Sequence, residues 1–252
     1  MEPGVTFVRQ PDEHFFGGGV IDSLRLPQTT IPLENDYLAM HIPILYSSLG
    51  YGFFWDNASR GILSMTPDSV SWQASAGDMA DFYVMAGEAD AVVAEYRHLT
   101  GAAPMFPKWA YGFWFSKNKF TSQQEILDAA KKFRDEQVPI DLLVQDYYYW
   151  HSDSSQDDAA GWGSHQFDPI RYPDPKGMID TLHNQDHIHF MAVIWAKFNP
   201  DTAHYQELDK IGALFPASHD WASPRLRYYD PFDPEARKIY GHQVMDSLFS
   251  IG

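Results

Sequence analysis

The sequence has no cysteine. That excludes disulfides, thiolate metal sites and a cysteine nucleophile, and it is compatible with either an oxidising or a reducing compartment. Basic residues are few: 18 Lys and Arg stand against 34 Asp and Glu, a net charge of −16. A phosphate backbone needs a basic face, and an anionic lipid surface selects the same charge, so neither nucleic acid nor a membrane surface is an expected partner. No apolar run reaches the ~20 residues of a spanning helix. Met1 is followed by Glu2 and Pro3 rather than by a charged and then apolar leader, so no signal peptide is visible in this sequence.

What is present is a hydrophobic fraction of 44% and an aromatic fraction of 15%, with 8 Trp and 14 Tyr. The first value suffices for a core and argues against disorder. The second has two readings. Flat rings cover the apolar faces of pyranoses, and they also build large cores.

The first hundred residues read as short strands: Val5–Val8, His14–Phe16, Leu38–Tyr46, Tyr51–Trp55, Val70–Trp72 and Phe82–Met85. Turn material separates them at Gly17-Gly18-Gly19, Pro27, Asn35-Asp36, Asp56-Asn57 and Ala76-Gly77-Asp78. This spacing predicts a β-sandwich or curled sheet over residues 1–103. A helix over Asp90–Leu99 follows, with Val92, Val93, Tyr96 and Leu99 on one stripe and Gly101 as its cap.

From 104 to 252 the pattern changes. Ala110–Phe115, Ile140–Val144 and Phe190–Trp195 read as buried strands. Helices are predicted after each. One starts at the capping box Ser122-Gln123-Gln124-Glu125, one at Asp174-Pro175, a small one lies over Asp201–Gly212, and one runs from Asp233-Pro234 to about Phe249. Apolar strands alternating with helices imply a parallel sheet, and chemistry then sits on the loops after the strands. Three such units fall short of the eight of a closed barrel, so the sequence is expected to be a fragment of a longer protein.

Val144-Gln145-Asp146-Tyr147-Tyr148-Tyr149-Trp150 is the densest signal. Asp146 is either a turn-capping carboxylate or, at the carboxyl end of a barrel strand, an acceptor for sugar hydroxyls. Other clusters carry less. His183, Asp186, His187 and His189 span a helix end and a strand start, so no metal site is expected there. His151, Asp153, Asp157 and Asp158 lack the ligand alternation of a calcium loop and read as a solvated acidic loop. Gly17-Gly18-Gly19 lacks the Lys and Ser/Thr of a phosphate loop, and no Gly-x-Ser-x-Gly elbow supports a serine hydrolase. Asn57-Ala58-Ser59 is a formal glycosylation sequon.

Several stretches, taken in order, resemble glycoside hydrolase family 31, the retaining α-glucosidase and α-xylosidase family. They are Glu13 to Gly19 (with Gly18 where the family carries Leu), Gly50 to Asn57, Leu99 to Pro104 and Pro107 to Gly112. Pro139 to Asp141, Asp146 to Trp150, Phe167-Asp168 and Tyr172 to Pro175 continue the series. Trp195 to Thr202 is similar to the α-xylosidase-like branch.

The resemblance implies a β-sandwich followed by the first three βα units of a (β/α)8 TIM barrel. It implies hydrolysis of α-linked sugars with retention, and it requires neither cofactor nor metal. By the same resemblance Asp146 falls on the aspartate that binds the −1 sugar, Trp195 and Phe120 on pocket aromatics, and Trp150 and Trp221 on further substrate contacts. Both catalytic aspartates of the family lie on later strands, beyond Gly252. Asp146, Asp168 and Asp230 are therefore not assigned that role, and this polypeptide alone is expected to be inactive. Trp195 with Lys197 and Phe198 favours α-xylosidase over α-glucosidase. The competing expectation is a non-catalytic carbohydrate-binding remnant, and a third is a gene product that does not fold.

Overall fold

A computed structural model describes residues 1–20, 30–34, 40–150, 159–216 and 222–252. Contacts divide the chain into two units, Met1–Met105 and Phe106–Gly252. Among the described residues no helix is long and apolar enough to cross a membrane.

The first unit contains β1 (Gly4–Val8), β2 (Phe15–Val20), β3 (Thr30–Leu33), β4 (Met40–Ser47), β5 (Tyr51–Trp55), β6 (Gly61–Met65), β7 (Ser69–Ala74), β8 (Phe82–Ala86) and the helix α1 (Ala89–Thr100). The strands form two antiparallel four-stranded sheets, ordered β1-β7-β6-β3 and β2-β4-β5-β8. In β7 the period-two pattern buries Val70, Trp72 and Ala74. These meet Leu45, Phe53 and Trp55 of the other sheet in one core. The Phe53 and Trp72 ring centres are 5.4 Å apart, and Trp55 stacks on Trp72 at 6.5 Å. Each such ring contributes about 2 to 3 kcal/mol by leaving water.

Two expectations for this unit change. β3 and β6 are strands that the pattern did not mark. β3 carries Pro32, which a sheet tolerates at an edge, and β3 is the edge of its sheet. β6 is only five residues long, and its Ile62 is exposed. The turn material at Pro27 and Asn35-Asp36, and Leu38 of one expected strand, lie outside the described residues. The end of β4 and the start of β5 are anchored by a buried carboxylate. Glu13 Oε1 accepts hydrogen bonds from the Ser47 and Tyr51 hydroxyls, and Oε2 accepts from the Gln10 amide at 3.0 Å.

The second unit starts with a 3-10 turn, Lys108–Tyr111. There follow β9 (Trp114–Ser116), α2 (Gln123–Asp135), β10 (Leu142–Gln145), α3 (Pro175–Asn184), β11 (His189–Ala192), β12 (Lys197–Phe198), α4 (Ala203–Asp209), β13 (Arg227–Tyr228) and α5 (Pro234–Ser247), and a 3-10 turn over Phe249–Ile251. β9, β10 and β11 are parallel with β10 central, and β12 pairs antiparallel with β13. All four residues of β10 are buried, as a central parallel strand requires.

The first strand of this sheet differs from the expected Ala110–Phe115. Pro107 leads into the 3-10 turn, which uses up residues to Tyr111, and the strand begins only at Trp114, with Trp114 and Ser116 exposed. The third strand ends at Ala192 rather than Trp195 and is only partly buried. The helices are close to expectation because their caps are local. Ser122 Oγ accepts from the Glu125 amide, Asp174 Oδ1 from Gly177, Thr202 Oγ1 from Tyr205 and Asp233 Oδ1 from Glu235. The reciprocal half of the capping box is displaced by one residue: Glu125 Oε2 accepts from the Thr121 amide at 2.7 Å, and Oε1 pairs with Lys117.

The amino ends of two parallel strands are tied by one side chain. Arg134, in the last turn of α2, donates from Nε to the Asp186 carbonyl at 2.7 Å. Its Nη2 lies 3.2 Å from the Ile140 and His187 carbonyls.

Candidate functional site

The carboxyl ends of β9 and β10 carry polar and aromatic loops. Asp146 follows β10 directly and is half-buried, with Oδ1 accepting from the Tyr147 amide at 2.7 Å. Beneath it Gln145 is fully buried. Its Nε2 lies 3.0 to 3.3 Å from the carbonyls of Asp146, Tyr147 and Phe120, and its Oε1 accepts from the Tyr172 hydroxyl at 3.0 Å. The same hydroxyl is 2.8 Å from the Phe120 carbonyl. One buried amide thus joins the loop after β9 to the loop after β10. The signal for it was legible: a polar residue at the end of an apolar strand is either an error of pattern or a tether.

The loop after β10 bends sharply. Tyr148 has a left-handed backbone, φ 80°, unusual for an aromatic residue. Its ring lies between Lys119 Nζ at 4.1 Å and the Arg171 guanidinium at 4.4 Å. Arg171 also donates to the carbonyls of Tyr148 and Trp150 and to Asp168 Oδ2 at 3.1 Å. Burial alone would raise the Asp168 carboxyl. The Ile170 and Arg171 amides and the Arg171 side chain outweigh that and hold it below the ordinary range. Asp168 therefore belongs to this clamp.

Tyr149 and Trp150 turn inward. The Tyr149 hydroxyl donates to the Val193 carbonyl at 3.1 Å, and burial raises its pKa. Trp150 meets Trp162 at 5.3 Å, and Trp162 meets Trp195 at 5.0 Å with 51° between the planes. Tyr147 completes the cluster, 6.0 Å from Trp162. Trp162 is itself held by the chain: its carbonyl accepts from the Asn199 amide at 2.8 Å. Gly163, at φ 87°, lets this loop approach β12; a Cβ there would lie 2.8 Å from the Lys197 carbonyl. Lys197, fully buried, sets its ammonium 3.7 Å from the Trp162 ring centre and 4.5 Å from that of Trp195. His165 Nε2 lies 3.4 Å from the Trp195 carbonyl.

Of the residues singled out in the sequence, Asp146 and Trp195 remain partly exposed. Phe120 and Trp150 are 1% and 2% exposed and belong to the core of this unit. Trp221 and the acidic loop of His151, Asp153, Asp157 and Asp158 lie outside the described residues. His183 and His189 have ring centres 5.8 Å apart, and His189 stacks on Trp109 at 4.0 Å. Among the described residues, no three His, Asp or Glu side chains gather as a metal site would need. Trp162, His165 and Arg171 were not singled out, because only the fold brings them to the site; Gln145 was passed over despite its polar type at the end of an apolar strand, and Lys197 was named beside Trp195 but not against Trp162.

The family description "Glycosyl hydrolases family 31 TIM-barrel domain" matches residues 103–252. The "Alpha-xylosidase" of Saccharolobus solfataricus is 34% identical over 217 residues, covering 86% of this chain and 27% of that protein. "Alpha-xylosidase A" of Aspergillus niger is 25% identical, covering 98% of this chain and 34% of that protein. The crystal structure of a GH31 α-xylosidase from a soil metagenome, complexed with xylose, superposes with a TM-score of 0.89 at 29% identity, covering 100% of this chain and 37% of its own. The chain thus spans roughly a quarter to a third of the length of these relatives. The match to the barrel domain covers more than half of the chain, and the chain belongs to glycosyl hydrolases family 31.

Proposed function

We propose that this chain is the sugar-gripping portion of a retaining glycoside hydrolase acting on α-linked sugars, an α-xylosidase first and an α-glucosidase second. In this reading residues 1–103 are a β-sandwich, and residues 104–252 are the first three βα units of a (β/α)8 barrel. The open edges of β9 and β11 support the second statement, as does an apolar cavity of about 270 Å³ lined by Phe167, Phe190, Met191, Val244 and Leu248.

The observation that carries the reading is a half-buried carboxylate after the central strand, followed by packed aromatics that lead to the partly exposed Trp195. Asp146 follows the central strand, its neighbour Tyr147 meets Trp162, and Trp162 meets Trp195. A carboxylate accepts hydroxyl hydrogen bonds, and indole faces cover the C–H faces of a pyranose. As the ring flattens toward an oxocarbenium ion, hydroxyl bonds to Asp146 strengthen and lower the barrier. Trp150 packs on Trp162, and Phe120, Trp150 and Trp221 remain proposed contacts. The nucleophile and the acid/base, which retention sets about 5 Å apart, are assigned to residues outside this chain. Asp168 is committed to Arg171, and Asp230 Oδ1 accepts from the Phe232 amide. The α-xylosidase relatives named above support the substrate order.

The test is steady-state hydrolysis of aryl α-xyloside and aryl α-glucoside by the whole protein that carries this chain. Asp146→Asn should lower kcat/KM about a hundredfold or more, with kcat affected. The 252-residue chain alone should turn over neither substrate. Hydrolysis by the isolated chain, or an Asn variant equal to the parent, would sink the proposal. Sugar binding without turnover by the whole protein would favour the binding-remnant alternative.

A further inference from the structure

Lys197 brings an ammonium group to a position with 0% exposure. A methionine or leucine would fill that space without the cost of dehydrating a charge. Toward the two indoles the charge adds direction. The face of an indole is electronegative and its edge is not, so a cation attracts both rings face-on and opposes their turning. The geometry has this form. Nζ is 3.7 Å from the Trp162 centre and 4.5 Å from the Trp195 centre, in the wedge that the two rings open at 51°. The base of the wedge is fixed: Lys197 pairs with Tyr228 across β12 and β13, and the loop at Gly163 presses on the Lys197 carbonyl. Trp162 is more deeply buried than Trp195, at 2% exposure, so the freedom that the cation removes belongs to Trp195.

We infer that Lys197 is a positioning residue that sets the width of the sugar pocket by fixing the plane of Trp195, and so separates α-pentopyranosides from α-hexopyranosides. The inference rests on the α-glycosidase reading above. A xyloside carries hydrogen where a glucoside carries a hydroxymethyl group. A fixed indole denies that group its room, whereas an indole free to turn yields it. Lys197 touches no sugar in this arrangement and acts through Trp195.

The test compares Lys197→Met, Lys197→Gln and Lys197→Arg in the whole protein. Two readouts are taken: the ratio of kcat/KM for aryl α-xyloside over aryl α-glucoside, and the tryptophan emission maximum. Loss of the cation should lower the ratio about tenfold, mainly by raising kcat/KM for the glucoside, since one small group in a pocket is worth about that much. Emission should shift with Met and Gln. Arg keeps the cation and should retain both parental values, which a merely space-filling role would not predict. The Gln variant decides the matter if Met does not fold. A folded Met or Gln variant with the parental ratio or the parental emission overturns the inference. A parent that hydrolyses neither glycoside overturns the function reading instead, and the emission comparison then decides the role of Lys197 alone.

Discussion

The guanidinium of Arg171 lies over the Tyr148 ring at 4.4 Å while its Nη1 donates to the Tyr148 carbonyl at 2.6 Å. The same side chain thus holds both the ring and the backbone of a residue with φ 80°. It meets the Trp150 carbonyl and Asp168 as well, so four contacts converge on one fork.

Arg171→Ala should therefore destabilise the second unit by about 2 to 3 kcal/mol, because it strands a carboxylate and two carbonyls. Arg171→Lys should recover only part of that, since an ammonium cannot span the fork. Urea unfolding curves of the three proteins check this; equal midpoints for parent and Ala would refute it.

Gly163→Ala tests the approach of the Trp162 loop to β12. The new methyl meets Phe198 Cδ1 at 2.4 Å and the Lys197 carbonyl at 2.8 Å, on a backbone at φ 87°. A loss of about 2 kcal/mol or more is expected. A thermal melt within a degree of the parent would show that the loop adjusts freely.

His165 predicts a pH dependence. Burial first, and the nearby His204 second, push its pKa down from 6.5 to about 4. The unfolded chain binds a proton near 6.5, and the folded chain resists it until about 4. Stability should fall as pH drops through that window and level off below it. His165→Gln should flatten this part of a stability-against-pH curve, and an unchanged slope would exclude His165 as its source.

Glu13 acts lower on the scale. Burial raises its pKa, but hydrogen bonds from Ser47, Tyr51 and the Gln10 amide, with the Arg9 charge, more than reverse that and bring it below 4.5. Its contribution is present above pH 4.5 and is lost as pH falls through the depressed value. The first unit of a Glu13→Gln variant should be less stable at neutral pH and lose less on acidification. Near-ultraviolet circular dichroism, following the Trp55–Trp72 stack, reports it.

The helices were legible because Ser122, Asp174 and Asp233 announce their starts within three residues. β7, with its period-two alternation, and β5, with its dense aromatics between turn residues, were legible for a similar local reason. β3 was hidden because Pro32 argues against a strand unless its place at an edge is known, and place at an edge is a tertiary fact. The site divides in the same way. Asp146 stood out because a carboxylate ends an apolar run. Arg171 did not, and Lys197 was read only beside Trp195, because their meaning lies in the rings that the fold brings to them. Phe120 was named through the family resemblance alone, and its 1% exposure was not legible because burial in this unit depends on how Phe115, Gln145 and Tyr172 close over it.

Arg134 grips three main-chain carbonyls at the amino ends of β10 and β11. Carbonyls are the same whatever side chains stand beside them, so that fastening tolerates sequence drift around it. The opposite ends of these strands, freed from holding the sheet in register, can exchange loops and side chains over evolutionary time. Under the proposed function, new sugar preferences would then arise at one end of the sheet without the other having to be rebuilt.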